Sequence, residues 1–152
     1  MVKKAVRFLS LPFNRKLLYT EAYLNLARAR ILKSMPFHKV AKGLGVQAIE
    51  TAADSNTNPT AIKDVATAIR IMSKHTIWES ACLVQAIAAM KMLERRGIES
   101  TIYLGTAKDE KQNMVAHAWL RSGPYYVTGA KGMNSFTVVG MFAKILDKKV
   151  QH

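Results

Sequence analysis

Between Asn14 and Ser34 apolar side chains recur at close to 3.6 residues. Leu17, Leu18, Ala22, Leu24, Ala27, Ile31 and Leu32 alternate with Lys16, Arg28, Arg30 and Lys33. The spacing predicts one long amphipathic helix with its apolar side on a core. Pro12 restricts the chain ahead of it and Asn14 offers a cap. Pro36 stops it, and a short segment Lys39–Leu44 follows. Residues 51–58 are small and polar and predict an exposed loop. Asn58-Pro59 has the form of an N-cap followed by a first-turn proline. It opens a helix to about Ser73 with Ile62, Val65, Ala66, Ile69 and Ile71 as its apolar set. Thr76-Ile77-Trp78-Glu79 matches a capping box and predicts a helix from Ile77 to about Arg96, striped by Leu83, Ala86, Ile87, Met90 and Leu93. Gly97 suits the position just past that helix, after two arginines that favour its C-terminal dipole.

Beyond Gly97 the period shortens to two. Ser100–Leu104, Met114–Leu120, Tyr125–Thr128 and Phe136–Val139 are strand candidates separated by short polar or glycine-containing links. A last basic helix is expected over Met141–Lys149. Helices followed by a run of closely linked strands predict an α+β fold, with an antiparallel sheet packed by the helices. The chain reads as one domain, with an N-terminal helical part (1–58) packed on a core (59–152).

The chain has 152 residues, 49% of them hydrophobic and 22% charged. It is long enough for a real core and too apolar for disorder. Its single cysteine excludes a disulfide scaffold and fits a reducing, cytoplasmic setting. The four histidines, His38, His75, His117 and His152, are scattered without ligand spacing, so no metal or other cofactor is expected. Nor does any apolar stretch reach spanning length. Net charge is +13, of which residues 1–50 contribute +8. Such a surface favours anionic partners or serves solubility. No helix-turn-helix, zinc-finger or RNA-recognition signature accompanies it, so nucleic acid is not the expected partner. A basic amphipathic helix can also lie on a membrane, which keeps peripheral membrane contact open.

The remaining chemistry centres on Cys82. A lone cysteine with a downstream histidine is the minimal pattern of a thiol nucleophile and its base. On the expected helix Cys82 falls in the early turns, where free N–H groups and the helix dipole favour a thiolate and can hold an oxyanion. A plain core cysteine is the competing reading. Alternation on the second strand candidate puts Val115, His117 and Trp119 on one face and Ala116, Ala118 and Leu120 on the other. His117 lies between small alanines that leave room for another element.

The strings Trp78-Glu-Ser-Ala-Cys82-Leu-Val-Gln-Ala, Met92-Leu-Glu-Arg-Arg-Gly97-Ile, Leu104-Gly105 and Ala116-His117-Ala-Trp119-Leu together resemble the transglutaminase-like leader peptidases of lasso-peptide biosynthesis, over about residues 75–140. The resemblance implies a papain/transglutaminase-like core, with Cys82 as nucleophile and His117 as base. The family's third member is a carboxylate after the histidine. Here Tyr125–Thr128 carries none, and the only acid beyond His117 is Asp147. Asn134 is the best polar substitute, since an amide oxygen can orient an imidazole. Asp109 and a backbone carbonyl are the other candidates. The implied reaction is hydrolysis between leader and core of a precursor peptide, before macrolactam ring closure. The implied partners are the precursor, a separate leader-binding protein and an ATP-dependent macrolactam synthetase. Two alternatives use the same residues differently: a transglutaminase or amidase built on the same pair, and a non-catalytic basic adaptor binding membrane or nucleic acid.

Overall fold

The computed structural model describes residues 2–53 and 58–146. The helices are α1 (Val2–Leu9), α2 (Phe13–Lys33), α3 (Phe37–Leu44), α4 (Pro59–Met72) and α5 (Cys82–Arg95). The strands are β1 (Val46–Gln47), β2 (Ser100–Lys108), β3 (Met114–Ser122), β4 (Tyr125–Thr128) and β5 (Thr137–Lys144). The strands form one antiparallel sheet in the order β1-β5-β2-β3-β4. The architecture is the expected α+β arrangement of helices on an antiparallel sheet.

The helices pack on one face of that sheet. Ile102, Ala118, Leu120, Val127 and Phe142 point into a core shared with Leu26 of α2, Val65 and Ile69 of α4, and Val84, Ile87, Met90 and Leu93 of α5. The other face carries Tyr103 stacked on Trp119, centroids 5.6 Å apart. Arg121 lies over Tyr103 at 5.9 Å. The Arg121 guanidinium is buried and donates to the Tyr103 hydroxyl (3.0 Å) and to the carbonyls of Gly123 and Thr51, each at 2.7 Å. Burial is the main reason the Tyr103 phenol rises above its ordinary 10.0.

Local chemistry explains most element boundaries. Asn58 caps α4, its Oδ1 accepting from Ala61 N–H at 3.1 Å, with Pro59 in the first turn. Gly97 leaves α5 at φ +71°, and Ile98 N–H closes on Leu93 O at 2.9 Å. Glu21 of α2 forms a two-pronged pair with Arg96, 2.8 and 2.7 Å, which ties α2 to the end of α5.

Four expectations need correction. The helix on Cys82 begins at Cys82, not at Ile77. The Thr76 hydroxyl bonds Trp78 O (2.9 Å) and Ser80 Oγ (2.8 Å), closing a local turn that competes with helix entry. The C-terminal helix expected over Met141–Lys149 is absent over Met141–Lys144, which continue β5 and pair with β2 and β1; residues 147–149 lie outside the described residues. Thr51, expected in an exposed loop, is buried, its hydroxyl 2.7 Å from that of Thr101. Finally, the apolar positions of α2 divide between two sides. Ala22, Leu26 and Ala29 are buried, whereas Leu17, Leu24 and Ile31 are exposed.

Candidate active site

Cys82 is the first residue of α5, at its extreme N-terminus. The first backbone bond of the helix runs from Gln85 N–H to Ala81 O, 3.0 Å, and no side chain caps the end. The N–H groups of Cys82, Leu83 and Val84 therefore precede the intrahelical ladder and concentrate partial positive charge beside the thiol. The Gln85 side chain reaches back to Ser80 O at 2.8 Å and fixes the approach to the helix. The thiol is free and half-buried, packed at the margin of the helical core. Trp78 packs edge-on against Tyr23 of α2, centroids 5.0 Å apart, and anchors the segment leading to Cys82.

His117 lies on the half of β3 that β4 leaves uncovered. β4 pairs only with Leu120, Arg121 and Ser122, so from Trp119 back to Met114 that side of β3 is a free edge. As alternation predicts, His117 shares a face with Trp119, and its ring is 5.7 Å from Trp119 and 5.0 Å from Phe136. Opposite it on β2 stands Gly105. A methyl group there would come within 2.8 Å of the Trp119 ring and 2.9 Å of Phe136 Cβ, so a glycine lets these aromatics close around the imidazole.

Nε2 of His117 is 2.7 Å from the carbonyl oxygen of Gly129. A carbonyl only accepts, so Nε2 carries the proton in this bond. The neutral ring then keeps its lone pair on Nδ1. A backbone carbonyl thus holds the tautomer that a base requires. Gly129 reaches this place by turning out of β4 at φ +72°, tight against Ala118 and Trp119.

The structure does not gather the sequence candidates into one hydrogen-bonded triad. No hydrogen bond joins Cys82 to His117 among the described residues. Cys82 belongs to the helix side of the sheet, whereas His117 shares the Trp119 face. Asn134 lies exposed in a 3-10 turn, Met133–Ser135, and makes no hydrogen bond to His117. Asp109 is spent in the β2–β3 turn, its Oδ1 accepting from Lys111 and Asn113 N–H, each at 2.9 Å. His38 and His75 are exposed and belong to other parts of the fold. Asp147 and His152 lie outside the described residues. The carbonyl that holds His117 belongs to Gly129, which with Thr128 and Gln85 lines a cavity of about 270 Å³ rimmed by Lys63 and Arg70 of α4; neither Cys82 nor His117 lines that cavity. Sequence reasoning did not single out Gly129; its one signal is a glycine directly after the short strand Tyr125–Thr128.

The family model of the transglutaminase-like superfamily matches residues 22–141. The chain belongs to that superfamily, whose members are typically cysteine-based enzymes. No curated protein and no solved structure matches it.

Proposed function

We propose that this member of the transglutaminase-like superfamily is a cysteine peptidase. In this reading it cuts a lasso-peptide precursor between leader and core, with a separate leader-binding protein, before an ATP-dependent synthetase closes the macrolactam ring. The observation that carries a thiol mechanism is the position of Cys82 as the uncapped first residue of α5. The support for a base is the His117 tautomer set by Gly129. The leader-peptidase specificity rests on the resemblance of the Cys82, Gly97 and His117 strings alone.

The steps follow from those groups. Nδ1 of His117 takes the thiol proton, and the thiolate attacks the scissile carbonyl. The N–H groups at the start of α5 receive the oxyanion. The imidazolium protonates the leaving amine, which departs with the core peptide. A water, deprotonated at Nδ1, then hydrolyses the thioester and frees the leader. The chemistry requires thiol and imidazole within hydrogen-bond reach. Cys82 lies on the helix side and His117 on the Trp119 face with no bond between them, so the proposal requires that substrate binding bring them together.

Two experiments test this reading. In the first, His117→Cys is oxidised with and without precursor peptide and leader-binding protein. A disulfide with Cys82 forms only when the two Cα atoms come within about 7 Å. Cross-linking that rises with substrate supports the pair, and none under either condition refutes it. In the second, mass spectrometry follows the precursor incubated with the wild type and with Cys82→Ala. Clean, Cys82-dependent leader loss is expected. Cross-linked or deamidated glutamine would instead assign a transglutaminase or amidase. Turnover by Cys82→Ala would remove the nucleophile from the mechanism.

A further inference from the structure

We propose that the solvent side of α1 and α2 is a docking surface for an anionic membrane, so that the protein works as a peripheral enzyme at a lipid surface. The starting observation is the second apolar stripe of α2. At about 100° per residue, Phe13, Leu17, Leu24 and Ile31 fall within about 40° of one another, diametrically opposite the buried Ala22, Leu26 and Ala29. Their exposures are 75%, 56%, 62% and 66%. A helix whose inner face is already packed does not need a second apolar face unless something covers it. On α1, Val6 and Leu9 are also exposed, at 58% and 67%.

Charge selects the occupant. Lys16 and Arg28 flank the stripe on its two sides, and Lys3 and Arg7 lie exposed on α1. The one acid of α1 and α2, Glu21, is already held by Arg95 and Arg96. A second copy docked on this face would bring Lys16 and Arg28 against their own kind. An acidic partner helix would match α2 but leaves Val6 and Leu9 of α1 without a role. A lipid surface carrying negative head groups takes the α2 stripe together with its flanking cations, with apolar side chains in the interface and lysine and arginine at the phosphates, and leaves the exposed Val6 and Leu9 of α1 free to add to it. No helix among the described residues is long and apolar enough to cross a membrane, so the attachment is peripheral.

The test uses the full chain and extruded vesicles of phosphatidylcholine, alone or mixed with phosphatidylglycerol, read by co-sedimentation. Binding to the mixed vesicles is expected, with little to phosphatidylcholine alone and partial loss at high salt. Leu17→Ser/Leu24→Ser, both exposed, should weaken binding by about tenfold without moving the thermal melt. Lys16→Glu/Arg28→Glu should abolish it. If the double serine variant fails to fold, Phe13→Ser with Ile31→Ser serves in its place. Full binding by the serine variants would mean charge alone attaches the protein and would overturn the proposal. So would absence of binding. A concentration-dependent dimer lost in Leu17→Ser/Leu24→Ser would reassign the face to a second copy. Absence of binding by a monomeric chain would reassign it to a protein helix.

Discussion

Replacing Gly129 with alanine tests the joint between fold and site. Two costs arise. The backbone sits at φ +72°, where a Cβ costs about 1–2 kcal/mol. The new methyl would also overlap the carbonyl oxygen of Ala118 and stand 2.9 Å from Trp119 Cβ and 3.0 Å from its Cα. These are atoms of a strand pinned by β2, so the 129 segment must move instead, at a further cost of about 1–3 kcal/mol. Gly132→Ala is the internal control. Its φ is +79°, and nothing lies within 4 Å of the added methyl, so it carries the conformational cost alone. For a chain of this size each kcal/mol is worth about 2–4 °C. Gly129→Ala should melt lower than wild type by about 4–20 °C, and Gly132→Ala by only about 2–8 °C, with Gly129→Ala the lower of the two. Moving the Gly129 carbonyl also releases Nε2 of His117. Alkylation of Cys82 by iodoacetamide in the presence of substrate should therefore slow in Gly129→Ala and not in Gly132→Ala. Equal melts for the two variants would refute the steric argument. Equal alkylation rates, with Gly129→Ala folded at the assay temperature, would refute the positioning role of the carbonyl.

Three further outcomes follow from named contacts. Glu21→Gln should lose about 2 kcal/mol at neutral pH by weakening the two-pronged bond to Arg96, seen as a lower denaturant midpoint. The hydrogen bond from Arg96 is the main cause holding the Glu21 carboxyl below its ordinary 4.5. The stabilisation is therefore complete above the usual carboxylate range and is lost as pH falls through the lowered folded value. The gap between variant and wild type should close only in acid; a gap independent of pH would remove the ion pair from the account. Arg121→Met strips partners from Thr51 O, Gly123 O and the Tyr103 hydroxyl, and should cost about 3 kcal/mol; a melt unchanged from wild type would contradict the buried network. Asn134→Ala should leave peptide turnover unchanged, because Asn134 makes no hydrogen bond to His117; a large fall in kcat would restore the asparagine as the orienting group.

The fold was legible where local chemistry and burial agree. Asn58-Pro59 and Gly97 mark helix ends through backbone geometry that few other residues satisfy, and both lie where the pattern places them. Alternation through Ala116–Leu120 separated the two faces of β3 for the same reason. The start of α5 was misread because Thr76 and Glu79 have capping spacing, while the Thr76 hydroxyl is committed to Trp78 and Ser80. The strand expected over Phe136–Val139 and the helix expected from Met141 leave Gly140 between them, whereas β5 runs through that glycine to Lys144. In the sheet Gly140 pairs with Leu104, a Cβ added there would meet nothing closer than 3.8 Å, and its neighbour Val139 is the extra residue of β5 at the register shift opposite Leu104 and Gly105. Such a shift is a property of the pair and leaves no mark on either strand alone. The two sides of α2 differ in helical phase, with Leu17 and Leu24 turned away from Leu18 and Leu32, but residue type alone puts all four in one apolar class and does not say which side the core takes.

The same distinction bears on the group behind His117. A backbone carbonyl is among the orienting groups that the sequence leaves open, but side chains are what a sequence displays, so it cannot say which carbonyl. Here the acceptor on Nε2 is a main-chain oxygen, available at every residue and therefore invisible to motif reading. What made it available is the end of β4. Because the strand stops at Thr128, Gly129 can take a left-handed turn across β3 and present its carbonyl to a ring on the uncovered edge. A Cβ at that position would collide with Ala118 and Trp119. The glycine is thus required twice over, by its φ and by the close approach. A hydrogen bond to a neutral carbonyl fixes the tautomer without adding the charge of a carboxylate. In the proposed mechanism that bond orients His117 as the base, and an imidazolium held by a neutral carbonyl gains less electrostatic support than one paired with a carboxylate. If the proposed peptidase reaction holds, that support has to come from elsewhere, and the thiolate of Cys82 is the anion the mechanism itself generates beside it. The closing of helix start onto β3 is then not incidental to the chemistry, because the ion pair of thiolate and imidazolium exists only in the closed arrangement.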